Sequence, residues 1–551
     1  MKPNKLFLTI VIALISPIIL SAYDFEVDGI CYNNIGRGNV EVTYTGLYNN
    51  YGWRGYSGNI NIPQMVEYQG MLFYVTQIGS EAFSICPELI SINIPNSITV
   101  INDIFSHSPK LTSINIDSGN SVYDSRDNCN AIIETATNKL IVGCKNTIIP
   151  KSVTAIGKSA FCGCTDLTSI SIPNSVTEIG EGAFYNCSGL TSISIPNSVT
   201  EIEERAFYNC SGLTSIKIPN SVIKIKDDVF NGCSNLAKLT IEDGTDSLLL
   251  GYNFNDSNKI GKGLFNDCPL SSLYLGRNLS LIKLRSTTTT TYAPFNFIET
   301  MNEVTIGNSV TSIVKNLFNG CSGLTEVNIS NLYNWYNLNF ESEFSNPLYY
   351  AHKLKLNGSE IKELIIPNSV ANIKQYAFIN CENLTAVSIG NSVTEIGTSA
   401  FEGCKGVTSV TIPRSVNKIN NKAFYNCAIR LIIAYPMTPP TCADGAFNGS
   451  YSALLKVPEG TDVKYAVANE WHKFDKIQEI AGVENVMIDN VAEKIAIENG
   501  NITINGIENP QVEVYSLNGN CIYCGNDTII PISTGVYILR INGKSYKIAI
   551  K

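Results

Sequence analysis

Charge and histidine are the two things this chain has least of. Only 16% of its 551 residues are charged, against roughly 25% in an ordinary soluble domain, and three are histidine. With a formal net charge of −9 there is no basic patch to neutralise phosphates, which excludes a nucleic-acid binder. His107, His352 and His472 stand apart, with no Ser, Cys, Asp or Glu partner at a recognisable motif spacing. No P-loop, G-x-S-x-G elbow, H-E-x-x-H or EF-hand loop occurs. Neither a catalytic site nor a resident metal or cofactor is therefore expected, and the chain reads as a non-enzyme. Beyond the N-terminus no apolar run reaches the roughly 18 residues of a transmembrane helix. At 44% hydrophobic the chain is too apolar for a disordered tail.

The N-terminus is laid out as a secretory signal peptide over residues 1–22. Lys2 and Lys5 precede an apolar run from Leu6 to Leu20, and Ser21 and Ala22 supply small residues before an expected cleavage. The 17 cysteines are an odd number, so full intramolecular pairing is excluded.

What the chain has in abundance is repetition. Phe161, Phe184, Phe207 and Phe230 are 23 apart, as are Cys164, Cys187, Cys210 and Cys233, and Pro150, Pro173, Pro196 and Pro219. The period returns at Phe378, Phe401 and Phe424, and weaker copies place Phe at 83, 105, 265, 295, 318 and 447. Such a period means a solenoid of stacked coils, of which about 17 are expected. Within one coil Leu167, Ile170, Ile172, Val176, Ile179, Ala183, Phe184 and Cys187 should face inward. Leu167 to Ile172 alternates as a short strand, Pro173-Asn174-Ser175 is a turn, and Val176 to Ile179 is a second extended piece. Eight buried side chains cannot offset the entropy of ordering 23 residues, so coils must stack and be capped.

These units, ending in IPNSVTEIG and followed by AF and Cys-x-x-Leu, resemble BspA-type leucine-rich repeats of surface proteins from Bacteroidetes and some protozoa, over roughly residues 60 to 460. The resemblance implies a mostly β, right-handed leucine-rich-repeat solenoid with a parallel sheet along one face, and adhesion to host or neighbouring-cell surface proteins. The organisation then reads as an N-terminal β cap at 23–75, the solenoid at 76–434, its C-terminal cap at 435–480, and a small all-β sandwich at 481–551. The last segment carries Val514-Tyr515-Ser516-Leu517-Asn518-Gly519 and Gly535-Val536-Tyr537, and it resembles the C-terminal sorting domain of type IX secretion. That implies a secreted or outer-membrane-associated product.

If Ile170 and Ile172 point inward, Ser169 and Ser171 point out, and Ser192, Ser194, Ser215 and Lys217 follow in the next coils. This hydroxyl-rich face is the candidate binding surface for an extended protein or glycan. A second candidate is the insertion Asn331 to His352, where Tyr333, Trp335 and Tyr336 head an aromatic cluster. Such a cluster either forms a binding patch or fills an enlarged coil.

Ten cysteines (86, 164, 187, 210, 233, 268, 321, 381, 404 and 427) share the repeat's own position and are expected as buried thiols. Stacked in register they point the same way, which does not suit a bridge. Cys129 and Cys144 flank an apparent hairpin in which Ile133 opposes Leu140. In that register the two face each other, either as a cross-strand disulfide or as two buried thiols. Cys521-x-x-Cys524 suits neither zinc nor a bridge on a strand. Arg285 to Thr291 reads as an exposed loop.

Overall fold

The computed structural model describes residues 23–45, 55–102, 107–254, 261–281, 293–480, 495–498, 501–504, 511–516, 521–532, 535–541 and 544–550. The expected signal peptide, Phe105, the Arg285 to Thr291 loop and Leu517-Asn518-Gly519 lie outside the described residues. The protein is a mostly β solenoid of about 16 turns with a spacing of about 23 residues. Two compact units are formed, Met1–Val310 with Leu317–Gly323, and Thr311–Asn316 with Leu324–Lys551.

Most coils contribute two short strands, one to each of two sets of parallel sheets. In the first unit Ser169–Ser171 pairs in register with Ser192–Ser194, and Ser215–Ile218 with Lys238–Ile241. A second sheet runs through the two-residue strands Ala155–Ile156, Glu178–Ile179, Glu201–Ile202 and Lys224–Ile225. The expected inward set is all buried. Glu178 faces Glu201, and Glu201 faces Lys224, whose ammonium lies 3.4 Å from it, so repulsion does not accumulate along the stack.

The repeat's aromatic and thiol positions explain one another. Phe161, Phe184, Phe207 and Phe230 stack almost parallel, with centroids 5.1, 5.4 and 5.9 Å apart. In the second unit Phe378, Phe401, Phe424 and Phe447 do the same at 5.3–5.4 Å. The backbone N–H of most of these Phe residues donates to a carbonyl of the next coil, Phe184 to Ala206 O at 2.8 Å and Phe207 to Val229 O at 3.1 Å. The Phe carbonyl accepts from the Cys backbone N–H of its own turn, and then from the thiol of the following coil. Cys187 Sγ reaches Phe161 O at 3.0 Å, Cys210 Sγ reaches Phe184 O at 3.1 Å, and Cys404 Sγ reaches Phe378 O at 3.1 Å. A serine could donate there too, but a thiol costs less to desolvate and fills the gap. Burial pushes the Cys187 and Cys404 thiols well up and the Cys233 thiol to about 12. The residue before the repeat's Cys has positive φ in nine of the ten coils: Gly163, Asn186, Asn209, Gly232, Gly320, Asn380, Gly403 or Asn426 in eight, and Ile85 in the ninth, with Asp267 before Cys268 the exception. Gly and Asn are the residues that adopt the left-handed region at least cost, so the turn chemistry accounts for this position.

Cys129 and Cys144 require a correction. Ile133 does oppose Leu140, but a bulge between Ile132 and Ile133 pairs Ala131 with Gly143, which moves Cys144 away from Cys129 by one residue. Both are buried free thiols; Cys144 Sγ lies 3.4 Å from Asn130 O, and burial pushes Cys129 up to about 11. Peptide mapping under non-reducing conditions is expected to recover both as thiols. Native alkylation should spare Cys187, Cys210 and Cys404 until the chain is unfolded.

Both ends of the solenoid are sealed. At the N-terminus Phe25–Val27, Ile30–Gly36, Asn39–Thr43, Met65–Tyr68 and Met71–Ile78 form one sheet, and Ile78 pairs with Ile101 to start the stack. The Tyr56 hydroxyl accepts from Cys31 N–H and donates to Thr43 O, closing this cap internally. At the C-terminus the turn Trp471–Lys473 lays Trp471 over Phe447, and the helix Asp462–Val467 sets Tyr465 edge-on against Trp471. Farther on, the antiparallel strands Ile495–Glu498, Asn501–Ile504 and Ile529–Pro531 make one sheet, and Cys521–Gly525, Val512–Ser516, Gly535–Ile541 and Lys544–Ile550 a second. Ile502, Ile530, Val514 and Leu539 from the two sheets share one apolar cluster.

Candidate binding face

The outward residues of the longer strands stand where alternation places them. Ser169 opposes Ser192 and Ser171 opposes Ser194, and all four are exposed over buried Ile170 and Ile193. Ser215 and Lys217 continue the two columns and are exposed as well, opposite Lys238 and Thr240. The Lys217 ammonium is held 2.5 Å from Glu242, and this hydrogen bond is the main reason that the Glu242 carboxyl lies below the usual carboxylate range. Lys217 is thus partly committed within the protein, whereas the serine hydroxyls present short, rigid donors and acceptors. In the second unit Ser388 opposes Thr411 on paired strands of its own sheet.

Reading the columns as uniformly polar overlooks three departures. Tyr274 stands opposite Thr240 and donates to Asp243 at 2.6 Å. Ile365 is exposed opposite Ser388. At the N-terminal end Ser91 donates to Asn59 at 2.6 Å, and Asn93 bonds Asn61, so these side chains bridge coils. Tyr274 and Ile365 were visible in the sequence as interruptions of the Ser/Thr/Asn pattern.

The aromatic insertion divides. Asn331 caps the helix Leu332–Asn337 by accepting from Tyr333 N–H at 2.8 Å. On that helix Trp335 is 1% and Tyr336 5% exposed, and they are plugs in the core rather than parts of a patch. Trp335 Nε1 donates to Ala377 O at 3.0 Å and the Tyr336 hydroxyl to Ile365 O at 2.8 Å, so their polar atoms are satisfied inside. Tyr333, at 55% exposure, remains on the surface.

In the oxygen-rich turn of Asp124, Asp127, Asn128 and Asn130, Asp124 is paired with Arg126 at 2.5 Å. Among the described residues no group of three or more His, Cys, Asp and Glu could hold a metal ion. No described helix is long and apolar enough to cross a membrane.

Comparison with known proteins gives the family. No curated protein matches the chain significantly. Among solved structures, a leucine-rich repeat protein from Bacteroides ovatus is 24% identical, with a TM-score of 0.41 and coverage of 83% of this chain and 100% of that one. A leucine rich cell surface protein from Faecalibacterium prausnitzii is 21% identical, with a TM-score of 0.28 and coverage of 83% and 95%. The pneumococcal vaccine antigen PcpA is 14% identical, with a TM-score of 0.24 and coverage of 83% and 98%. The family described as BspA type leucine rich repeat region matches residues 67–141, 141–258, 252–353 and 334–453, more than two thirds of the sequence. With the 23-residue coils, the stacked Phe and the buried Cys already in place, the chain belongs to the BspA-type leucine-rich repeat family.

Proposed function

We propose that this is a secreted or cell-surface binding protein that adheres to an extracellular or host protein, or to a glycan, through the outward serine columns of its solenoid. The observation that carries this reading is the in-register pairing of exposed Ser169 with Ser192 and Ser171 with Ser194 over a buried isoleucine row. Short hydroxyl side chains held at strand spacing lose little entropy on binding and repeat along the axis, which suits an extended ligand. The layout of residues 1–22 as a signal peptide and the likeness of residues 481–551 to a sorting domain support export to the surface, with 23–75, 76–434 and 435–480 as cap, solenoid and cap. Tyr333 is the one residue of the aromatic insertion retained as a ligand contact. A structural cell-envelope scaffold without a specific ligand is the alternative.

Surface plasmon resonance against matrix proteins and glycans separates the two readings. Saturable binding is expected, weakened at least about tenfold, roughly 1.4 kcal/mol, by Ser192→Lys with Ser194→Lys and more mildly by Tyr333→Ala. Deleting residues 331–352 is a poorer probe, because it would take Trp335 and Tyr336 out of the core. Absence of saturable binding to every surface tested would favour the scaffold.

A further inference from the structure

The serine columns begin at a break. Gly58–Asn61, Leu89–Ile94 and Ser113–Ile116 form one parallel sheet; Ser169–Ser171 and Ser192–Ser194 form another in which Ser169–Ser171 is the outermost strand. The cause is in the sequence. At the 23-residue spacing from Pro150 to Pro173, Asn146-Thr147-Ile148-Ile149 stands where the next coil has Ser169-Ile170-Ser171-Ile172, which puts Ile148 at an outward position. This coil has no strand before its proline. Its Ile148 N–H instead donates to Cys129 O at 3.0 Å, which ties the segment to the preceding hairpin rather than to Ser169–Ser171.

Backbone direction determines what this leaves open. Thr191 N–H donates to Thr168 O, so the peptide groups of Thr168 and Ile170 face the following coil. By alternation those of Ser169 and Ser171 face the other way, where no strand pairs with them. Along this edge runs a groove of about 740 Å3, with Thr147, Ile148 and Ile149 on its far wall. Ile148 is 74% exposed, the apolar side chain of a core-forming residue left without cover. Lys151 is the single charged residue lining the groove, and no ion pair engages it among the described residues.

We propose that this edge captures an extended peptide segment of a partner protein by strand addition. The segment's main chain completes the hydrogen bonds of Ser169 and Ser171, an apolar side chain packs on Ile148, and an acidic side chain reaches Lys151. Main-chain pairing supplies affinity in this mode of recognition, and alternate side chains supply specificity. An exposed edge with a bare isoleucine beside it is otherwise a liability for aggregation. The acidic requirement follows from the charge of the groove. The proposal rests on the surface-binding reading only for the partner being a polypeptide, and it needs main-chain groups rather than the serine hydroxyls.

The test uses the full chain and a fluorescent hexapeptide, Thr-Ser-Ile-Ser-Ile-Asp, followed by polarisation. Saturable binding is expected, at least tenfold weaker for the same peptide N-methylated at alternate amides, and at least tenfold weaker for Ser171→Pro. Proline is tolerated on an edge strand whose N–H faces solvent, so circular dichroism of that variant should match wild type. Should Ser171→Pro fail to fold, Lys151→Glu carries the test. It should reverse the preference toward a hexapeptide ending in Lys. Equal binding of the methylated and unmethylated peptides, or no binding of either, overturns the proposal. So does self-association of the chain that Ser171→Pro abolishes, since a second copy would then own the edge. Hexapeptide capture without binding to any matrix protein or glycan would leave this proposal standing and sink the serine-face reading.

Discussion

Replacing Phe207 by alanine is expected to destabilise its part of the solenoid by about 3–5 kcal/mol, the range for removing a fully buried Phe. Phe207 is wholly buried between Phe184 at 5.4 Å and Phe230 at 5.9 Å, so both stacking contacts go with the ring. The coils above and below cannot close the gap, because their separation is set by the paired strands Glu178–Ile179, Glu201–Ile202 and Lys224–Ile225 and by the turn bonds of the Phe amides. A repeat array unfolds in neighbouring blocks rather than all at once. The measurement is therefore hydrogen exchange along the chain, together with denaturant unfolding. Protection should collapse over roughly residues 180 to 235 and persist in coils farther away. A loss below about 1 kcal/mol would show that the phenylalanine stack is not what holds the coils together.

Trp471→Ala is expected to cost a similar amount, about 3–5 kcal/mol, with a different outcome. Trp471 is fully buried, meets Phe447 at 5.2 Å and Tyr465 edge-on at 5.1 Å, and donates from Nε1 to Pro440 O at 2.9 Å. Beside it Glu470 is buried. Burial alone would raise its carboxyl, but Lys473 and the Tyr451 hydroxyl more than offset this and hold it below its usual value. Without the indole this assembly loses its anchor and the last phenylalanine of the stack meets water. Faster proteolytic cleavage within residues 435–480 and a concentration-dependent rise in sedimentation coefficient are the expected readouts. Trp471→Phe, which keeps much of the ring but loses the donor, should cost less, about 1–3 kcal/mol. Equal damage from both variants would mean that the hydrogen bond, not the ring, is what matters.

The sequence made the coil legible because its signals are periodic and redundant. Phe161 and Cys164 alone mean little; their recurrence at 184 and 187, 207 and 210, and 230 and 233 fixes the fold, the inward set and the outward serines together. Single-copy features were harder. The bulge at Ile132 and Ile133 leaves the apolar pattern of the hairpin unchanged, so a ruler-straight register put Cys129 opposite Cys144. In the insertion, Tyr333, Trp335 and Tyr336 look equivalent by composition. A helix separates them, and its start was readable in Asn331, an N-cap residue directly before the apolar run. The open edge at Ser169–Ser171 lay in the replacement of Ser-Ile-Ser-Ile by Asn146-Thr147-Ile148-Ile149 before Pro150, a change that shows only when coils are aligned.

The thiol that reaches back to the previous coil's phenylalanine carbonyl gives the chain a unit of length. In these coils the strand register advances by 23 residues from one coil to the next, and residues 160–182 and 183–205 are close to copies. Excising one such block would let Cys210 meet Phe161 as it now meets Phe184. The binding face would shorten by one rung of about 4.8 Å with no new side-chain environment created. The gene can therefore change reach in whole steps by gaining or losing 69 base pairs.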